Sequence, residues 1–204
     1  MTERAGGPAD PASEDRPELG GPDVVGSFGP LYDRYARELH RYLRRRVGQV
    51  ADDLVAETFV VAMQHRQDYS PDRGTARSWL YGIATNLLRG HVREEARTLR
   101  TAAKMVGEAQ QNADPPDTRV PDQVDARDQV TRLTAALAEI DPGNRDALLL
   151  TTWAGMDASE VAEALSIPVA TVRTRLHRGR RQLRAELAAN RRPRRTGEGS
   201  LGDE

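Results

Sequence analysis

The sequence predicts an all-α protein of two small helical domains joined by a flexible acidic linker. Three observations predict it. Apolar residues recur at spacings of three and four along most of the chain, with no competing β alternation. Residues 107–128 carry six acids against two arginines, together with Asp114-Pro115-Pro116-Asp117 and Pro121-Asp122, which is the composition of a linker rather than of a core. Of the 204 residues 38% are hydrophobic and only 4% aromatic, which favours small units packed by Leu, Val and Ala over one large core.

The elements follow in order. Residues 1–26 are rich in Gly, Pro and acids and predict a disordered leader. The first domain spans 27–100. Its first helix begins near Phe28 and carries Leu31, Tyr35, Leu39, Tyr42 and Leu43 to about Val47, with Gly48 as the stop. A second helix starts near Asp52, puts Val55, Phe59 and Ala62 on one side, and ends before the breaker cluster Tyr69-Ser70-Pro71-Asp72-Arg73-Gly74. A third runs from about Thr75 to Arg97 on Trp79, Leu80, Ile83, Leu87 and Val92. Residues 101–127 form the linker. The second domain, 128–189, opens with Val130, Leu133, Leu137 and Ile140. Asp141-Pro142 then supplies an N-cap with proline at the first helical position. Asp157 to Glu160 has capping-box spacing, with Asp in place of Ser or Thr. A helix from Ala158 to Leu165, the turn Ser166-Ile167-Pro168 and a helix from Val169 to Ala189 complete the domain. Residues 190–204 predict a disordered tail.

The formal net charge of −1 hides a strong asymmetry. Residues 1–27 hold six acids and two arginines, whereas 173–195 hold ten arginines and one acid, Glu186. There is no cysteine, which excludes disulfides, thiolate catalysis and Cys-based zinc sites. Met1 to Gly26 has no apolar core, so a signal peptide is not expected, and no apolar run is long enough to span a membrane. A cytoplasmic protein without membrane insertion is the expectation. His40, His65, His91 and His177 are scattered without metal-ligand spacing, and no phosphate-binding Gly loop occurs. No metal, cofactor or catalytic residue is therefore expected, and an enzyme is disfavoured.

The segment 157–187 has the build of a helix-turn-helix. Val161, Ala162 and Leu165 form the packing face of its first helix, and Val172, Leu176, Leu183 and Leu187 face inward from its second. That leaves Thr171, Arg173, Thr174, Arg175, His177 and Arg178 largely outward, on the N-terminal part of a helix of the kind that enters a major groove. Arg grips guanine bidentately and Thr bonds a base or a phosphate. Arg180, Arg181 and Arg184 lie further along, where phosphate contact is expected. The competing explanation is an amphipathic surface helix whose charges are merely solvated.

The run DASEVAEALSIPVATVRTRLHRGRRQLR, Asp157 to Arg184, closely resembles the C-terminal domain of extracytoplasmic-function (ECF) sigma factors of bacterial RNA polymerase. A response-regulator output domain uses a similar helix-turn-helix, and the N-terminal domain separates the two. Asp52-Asp53-Leu54-Val55-Ala56-Glu57-Thr58-Phe59 resembles the family's polymerase-docking helix. Tyr69 to Gly74 followed by Trp79-Leu80-Tyr81-Gly82-Ile83-Ala84-Thr85-Asn86-Leu87 resembles its promoter-melting segment. Ala56, Met63 and Ala154 depart from the family's usual Gln, Trp and Glu, the first at a docking contact.

The resemblance implies that the protein binds core RNA polymerase through Asp52, Asp53 and Glu57, and promoter DNA both as duplex and as melted single strand. It also implies an anti-sigma partner. The helix-turn-helix would read the minus-thirty-five element, with Arg181 among its contacts. The first domain would open the minus-ten element. Arg89, Arg93 and Arg97 repeat every four residues and form a basic stripe that tracks phosphates, while Asn86 and the 69–74 loop, with Tyr69 and Arg73, receive an unstacked base. Pairing of Arg97 with Glu94 and plain solvation of Arg93 explain the stripe otherwise, and acids near a helix start suit the macrodipole without any partner. Trp79 is expected in the core. A free-standing helix-turn-helix regulator remains the alternative function.

Overall fold

The computed structural model describes residues 15–107 and 124–189, and these form helices, turns and connecting segments without a strand among them. Helix α1 spans Val24–Val47. The Asp23 carboxylate caps it by accepting from the Gly26 N–H at 2.8 Å. Arg44, Arg45 and Arg46 fill its last turn, where cations suit the helix dipole. It stops at Gly48, whose φ of 60° needs no Cβ and whose N–H bonds the Arg44 carbonyl. A single 3-10 turn leads to α2, Ala51–Gln64, with Asp52 and Asp53 in its first turn. Helix α3, Ala76–Gly107, begins where Thr75 Oγ1 accepts from the Ser78 N–H at 3.0 Å.

Helix α4 is Val124–Glu139 and α5 is Pro142–Trp153. Asp141 caps α5 through the N–H groups of Gly143 (3.0 Å) and Asn144 (3.2 Å). Helix α6, Ala158–Leu165, carries the complete capping box: Asp157 accepts from Glu160 N–H at 2.9 Å, and Glu160 accepts from Asp157 N–H at 2.9 Å. Ser166, with a left-handed φ of 51°, ends α6 and turns the chain into α7, Val169–Ala189.

Two differences from the sequence expectations concern the end of α3 and the leader. The third helix continues to Gly107 rather than stopping near Arg97, because Thr98 to Gly107 consists mainly of good helix formers (Leu, Arg, Ala, Lys, Met). The leader is not free along its whole length. Within the expected 1–26 segment, residues 15–23 lie against the body and α1 already starts at Val24. Leu19 is 1% exposed, the Asp15 carbonyl accepts from Ala76 N–H at 2.7 Å, and Gln67 Nε2 donates to the Gly20 carbonyl at 3.1 Å. Tyr35 donates its hydroxyl to the Asp15 carboxylate, and burial first, then Asp15, pushes that phenol up from its ordinary value. One buried leucine and one paired acid hold a segment whose composition otherwise reads as disordered. The remainder of the expected leader, the centre of the linker and the tail lie outside the described residues.

Inside the first bundle Leu31, Leu39, Tyr42 and Leu43 of α1 meet Leu54, Val55 and Phe59 of α2 and Leu80, Tyr81 and Leu88 of α3. Each full-size apolar side chain buried there contributes about 1.5–3 kcal/mol before the entropy of ordering it. In the second bundle Ile140, Leu150, Val161 and Val172 are all at most 2% exposed. The two bundles pack against each other through α3 and α6. Gly82 sits so close that a Cβ there would lie 2.5 Å from the Ala164 carbonyl oxygen.

Asp157→Ala removes the acceptor of two otherwise orphaned N–H groups. A urea titration is expected to show a loss of about 1–2 kcal/mol of unfolding free energy. An unchanged midpoint would mean that α6 is held by packing alone.

Candidate nucleic-acid interface

The turn at Ser166 sets α7 across α6, and the buried Val172 and Leu176 fix its rotation. With those two inward, Arg173, Thr174, His177, Arg178 and Arg181 are exposed, as are Arg180 and Arg184. Thr174 donates its hydroxyl back to the Ala170 carbonyl at 3.1 Å, which leaves its oxygen lone pairs outward. Thr171 and Arg175 are only half-exposed. The Arg175 guanidinium packs over the start of α5, where a Cβ on Gly143 would meet it at 3.1 Å. Both stand less open than the rest of the face, Arg175 because the start of α5 lies against it. Leu183 and Leu187 are half-buried.

In the first bundle, the loop before α3 is built around an aromatic pair. The Tyr69 ring lies 5.0 Å from that of Trp79 at 38°, and the Tyr69 hydroxyl donates to the Gly74 carbonyl at 3.3 Å. Burial pushes the Tyr69 phenol up to about 12, so it remains a neutral donor throughout the physiological range. Trp79 is half-buried rather than fully in the core, and with Tyr69 and Arg73 it lines a cavity of about 280 Å³. Glu163 and Ser166 of the second bundle line the same cavity. Asn86 and Arg93 are exposed. Arg97 lies 3.6 Å from Glu94, within reach of an ion pair. Arg89 is engaged: its Nε is 2.6 Å from Asp146 of α5, and its guanidinium reaches Asn86 Oδ1 at 3.4 Å.

On the opposite side of the first bundle Asp53 and Glu57 are exposed. The Asp52 side chain is 83% exposed and faces His40 Nε2 at 3.2 Å. Beside them runs a groove of about 800 Å³ lined by Tyr32, Ala36, His40, Val55 and Ala56. Tyr32 is half-exposed, with its ring 4.9 Å from Phe59, and Val60 is also exposed. Periodicity did not single out Tyr32, because it stands one position beside the Leu31–Tyr35 core stripe.

The largest group that sequence reasoning missed is the charged seam between the bundles. Asp146 has no exposed surface and binds Arg46 at 3.0 Å as well as Arg89. Arg77 meets Glu160 at 2.8 Å and Glu38 at 3.6 Å, and donates to the Ala154 carbonyl. Burial is the largest single influence on Arg77 and lowers its pKa, but Glu160, Tyr81 and Glu38 together outweigh it, so the net direction is up. Glu163 accepts from the Thr75 N–H at 3.2 Å and lies 3.8 Å from Arg16. A signal for Asp146 existed: it precedes Leu149 and Leu150 by three and four residues, an acid on an apolar stripe. Among the described residues no group of histidines and acids is placed to hold a metal ion, and no helix is long and apolar enough to cross a membrane.

The sequence matches Sigma-70 region 2 over residues 31–98 and Sigma-70, region 4 over residues 131–183. It is 32% identical over 159 residues to the ECF RNA polymerase sigma factor SigL of Mycobacterium tuberculosis, which covers 77% of this chain and 86% of that one. It is 34% identical over 165 residues to SigE of Mycolicibacterium smegmatis, covering 79% of this chain but only 62% of that relative's length. Among solved structures, CnrH in complex with the cytosolic domain of CnrY is 28% identical with a TM-score of 0.58, covering 88% of this chain and 96% of that one. The sigma factor RpoE bound to the anti-sigma factor NepR from Bartonella quintana shares the fold at 20% identity and a TM-score of 0.50, covering 82% of this chain and 100% of that one. With helices α1–α3 falling in the region 2 match and α6–α7 in the region 4 match, the chain belongs to the ECF sigma factors of the sigma-70 family.

Proposed function

We propose that this chain binds core RNA polymerase through the Asp52, Asp53 and Glu57 face of α2. Its α6–α7 pair then reads the minus-thirty-five element as duplex, and its first bundle captures the melted minus-ten strand. The observation that carries the reading is the pairing of two built surfaces in one chain. One is an arginine-bearing helix held in helix-turn-helix geometry by Val172 and Leu176. The other is an aromatic-walled cavity beside a basic helix. Two tethered surfaces gain from effective concentration, so neither has to bind tightly alone.

The division of labour follows from the chemistry. Arg173 and Arg178 stand at the exposed N-terminal half of α7, where base edges are read, and Arg181 lies a turn further along, where phosphates run. Asn86, Arg89 and Arg93 track the strand while Tyr69, Trp79 and Arg73 hold an extruded base. Extrusion costs roughly a few kcal/mol and stacking returns about 1–3 kcal/mol. Binding energy opens the promoter on this reading, and no catalytic residue is required. The exposed Tyr32 and Val60 beside Glu57 give the polymerase face an apolar component. An anti-sigma partner and a cytoplasmic setting are part of the proposal. The first is supported by the sigma factor and anti-sigma factor assembled in the RpoE–NepR structure.

Transcription of fragmented genomic DNA by core polymerase, with and without the protein, tests the whole reading. New RNA starts preceded by two spaced shared elements are the expected result; protein-independent starts alone would refute it. On a promoter found this way, Arg173→Ala and Arg178→Ala are each expected to weaken binding by about 1–3 kcal/mol and relax preference at one base pair. Arg181→Ala should weaken all sequences alike and reduce the salt slope by about 1. Glu57→Lys reverses the charge of the polymerase face at an exposed position. It should lower core affinity at least tenfold in a pull-down titration while the circular dichroism spectrum stays unchanged.

A further inference from the structure

The segment 15–23, which precedes α1, touches the connection between α2 and α3 at its start, its crown and its end. At the start, Gln67 Nε2 donates to the Gly20 carbonyl at 3.1 Å, and a Cβ on Gly20 would stand 3.2 Å from Gln67 Oε1. At the crown, the Arg16 guanidinium donates to the Pro71 carbonyl. At the end, the Ala76 N–H donates to the Asp15 carbonyl at 2.7 Å. Ala76 is the first residue of α3 and has no exposed surface. Its N–H has no acceptor within the helix and no access to water, so Asp15 supplies the partner it requires. The segment is tied down on its other side as well. The Asp15 carboxylate takes the Tyr35 hydroxyl of α1 and lies 3.2 Å from Arg34, and Leu19 is buried in the apolar cluster.

We infer that residues 15–23 are a strap that holds the 66–76 connection in its strand-receiving shape, with Asp15, Arg16 and Leu19 as positioning residues for the extruded base. The inference rests on the strand-capture reading of Tyr69, Arg73 and Trp79. The loop's own ties are short-range: the Arg73 N–H to the Ser70 carbonyl at 3.0 Å, and the Tyr69 hydroxyl to the Gly74 carbonyl at 3.3 Å. These close the crown on itself, whereas the strap fastens it to α1. The walls of the Tyr69–Trp79 cavity come from residues between Asp68 and Trp79 and from Glu163 and Ser166. The strap therefore braces the loop from outside and leaves the cavity open. Burial dominates the raised pKa of the Tyr69 phenol, and the charges of Arg16, Glu18 and Asp15 are the next influences on it. The strap thus runs beside the ring that would stack the base. A slot ordered in advance binds more tightly, because side chains that must be ordered at the moment of binding subtract from affinity.

The test uses the full-length protein bound to core polymerase, on a promoter with 2-aminopurine in the melted minus-ten strand. Extrusion of that base reads as a rise in fluorescence. Leu19→Ala and Arg16→Ala are each expected to lower the equilibrium constant for the fluorescent complex about tenfold, with core affinity unchanged. The Arg16 side chain is 40% exposed, so its variant loosens the strap without opening the core. Leu19→Met keeps the apolar anchor and should restore the signal. The dependence on salt should stay as in the unaltered protein. A slope reduced by about 0.7 in Arg16→Ala would make Arg16 a phosphate contact and overturn its positioning role. Signals from both alanine variants equal to that of the unaltered holoenzyme overturn the strap and leave strand capture standing. No rise with the unaltered holoenzyme, on a promoter that it transcribes, overturns strand capture and the strap with it.

Discussion

A carboxylate without any exposed surface, Asp146, is held between two arginines of the other bundle, and the placement of α1, α3 and α5 depends on it. Removing an ion from water costs several kcal/mol after relaxation, so an acid in this position demands a full set of partners. Arg46 delivers one from the last turn of α1, where the helix dipole already favours a cation. Arg89 delivers the other from the middle of α3. The Arg46 side chain is itself only 9% exposed, so each charge is the other's main compensation. Such a pair adds little net stability over an apolar contact of equal volume. What it fixes is register, because it closes only when α5 stands at one height against α1 and α3.

The rest of the seam follows the same rule with less burial. Arg77 serves Glu160, Glu38 and the Ala154 carbonyl together, its guanidinium 5.4 Å from the centre of the Tyr81 ring. Glu160 is in turn fixed by the capping box of α6, so the helix start that stabilises the second bundle also presents the acid that binds the first. A local capping motif thereby becomes part of the interdomain contact. The backbone approach of Gly82 to Ala164 sets how close α3 and α6 come, and a larger residue at that point would hold the acids away from their arginines.

Most of the helical fold was legible because its signals are local. Periodicity found Leu31, Tyr35, Leu39 and Leu43; Asp141-Pro142 and Asp157 to Glu160 marked two helix starts that the side-chain hydrogen bonds bear out. The exposed face of α7 was legible for the same reason, since Val172 and Leu176 fix which arginines face outward. The partial cover of Arg175 was not legible, because the start of α5 is thirty-two residues away in sequence and no spacing rule reaches it. The ordered part of the leader was missed because composition averages over Leu19, and a single buried leucine outweighs its polar neighbours. The seam was missed most completely. Arg89 was read as a free phosphate contact, and its present partner lies on another domain across the linker. Charge pairing at long range is set by tertiary geometry, and one sequence contains only the hint that an acid on an apolar stripe must find a cation.

The seam joins the bundles by two kinds of contact at once. Its apolar part is continuous: Leu80, Tyr81 and Leu88 of α3 and Leu149, Leu150 and Val161 of the second bundle belong to one buried cluster, and parting them would expose a contiguous apolar patch. Parting arginines from carboxylates exposes groups that water solvates well, and hands the arginines to whichever anion arrives. Phosphate is the anion that matches, since it offers an arginine the same bidentate oxygen geometry as a carboxylate. The charged contacts of the seam therefore set register, while the apolar cluster shared by the two bundles supplies the burial.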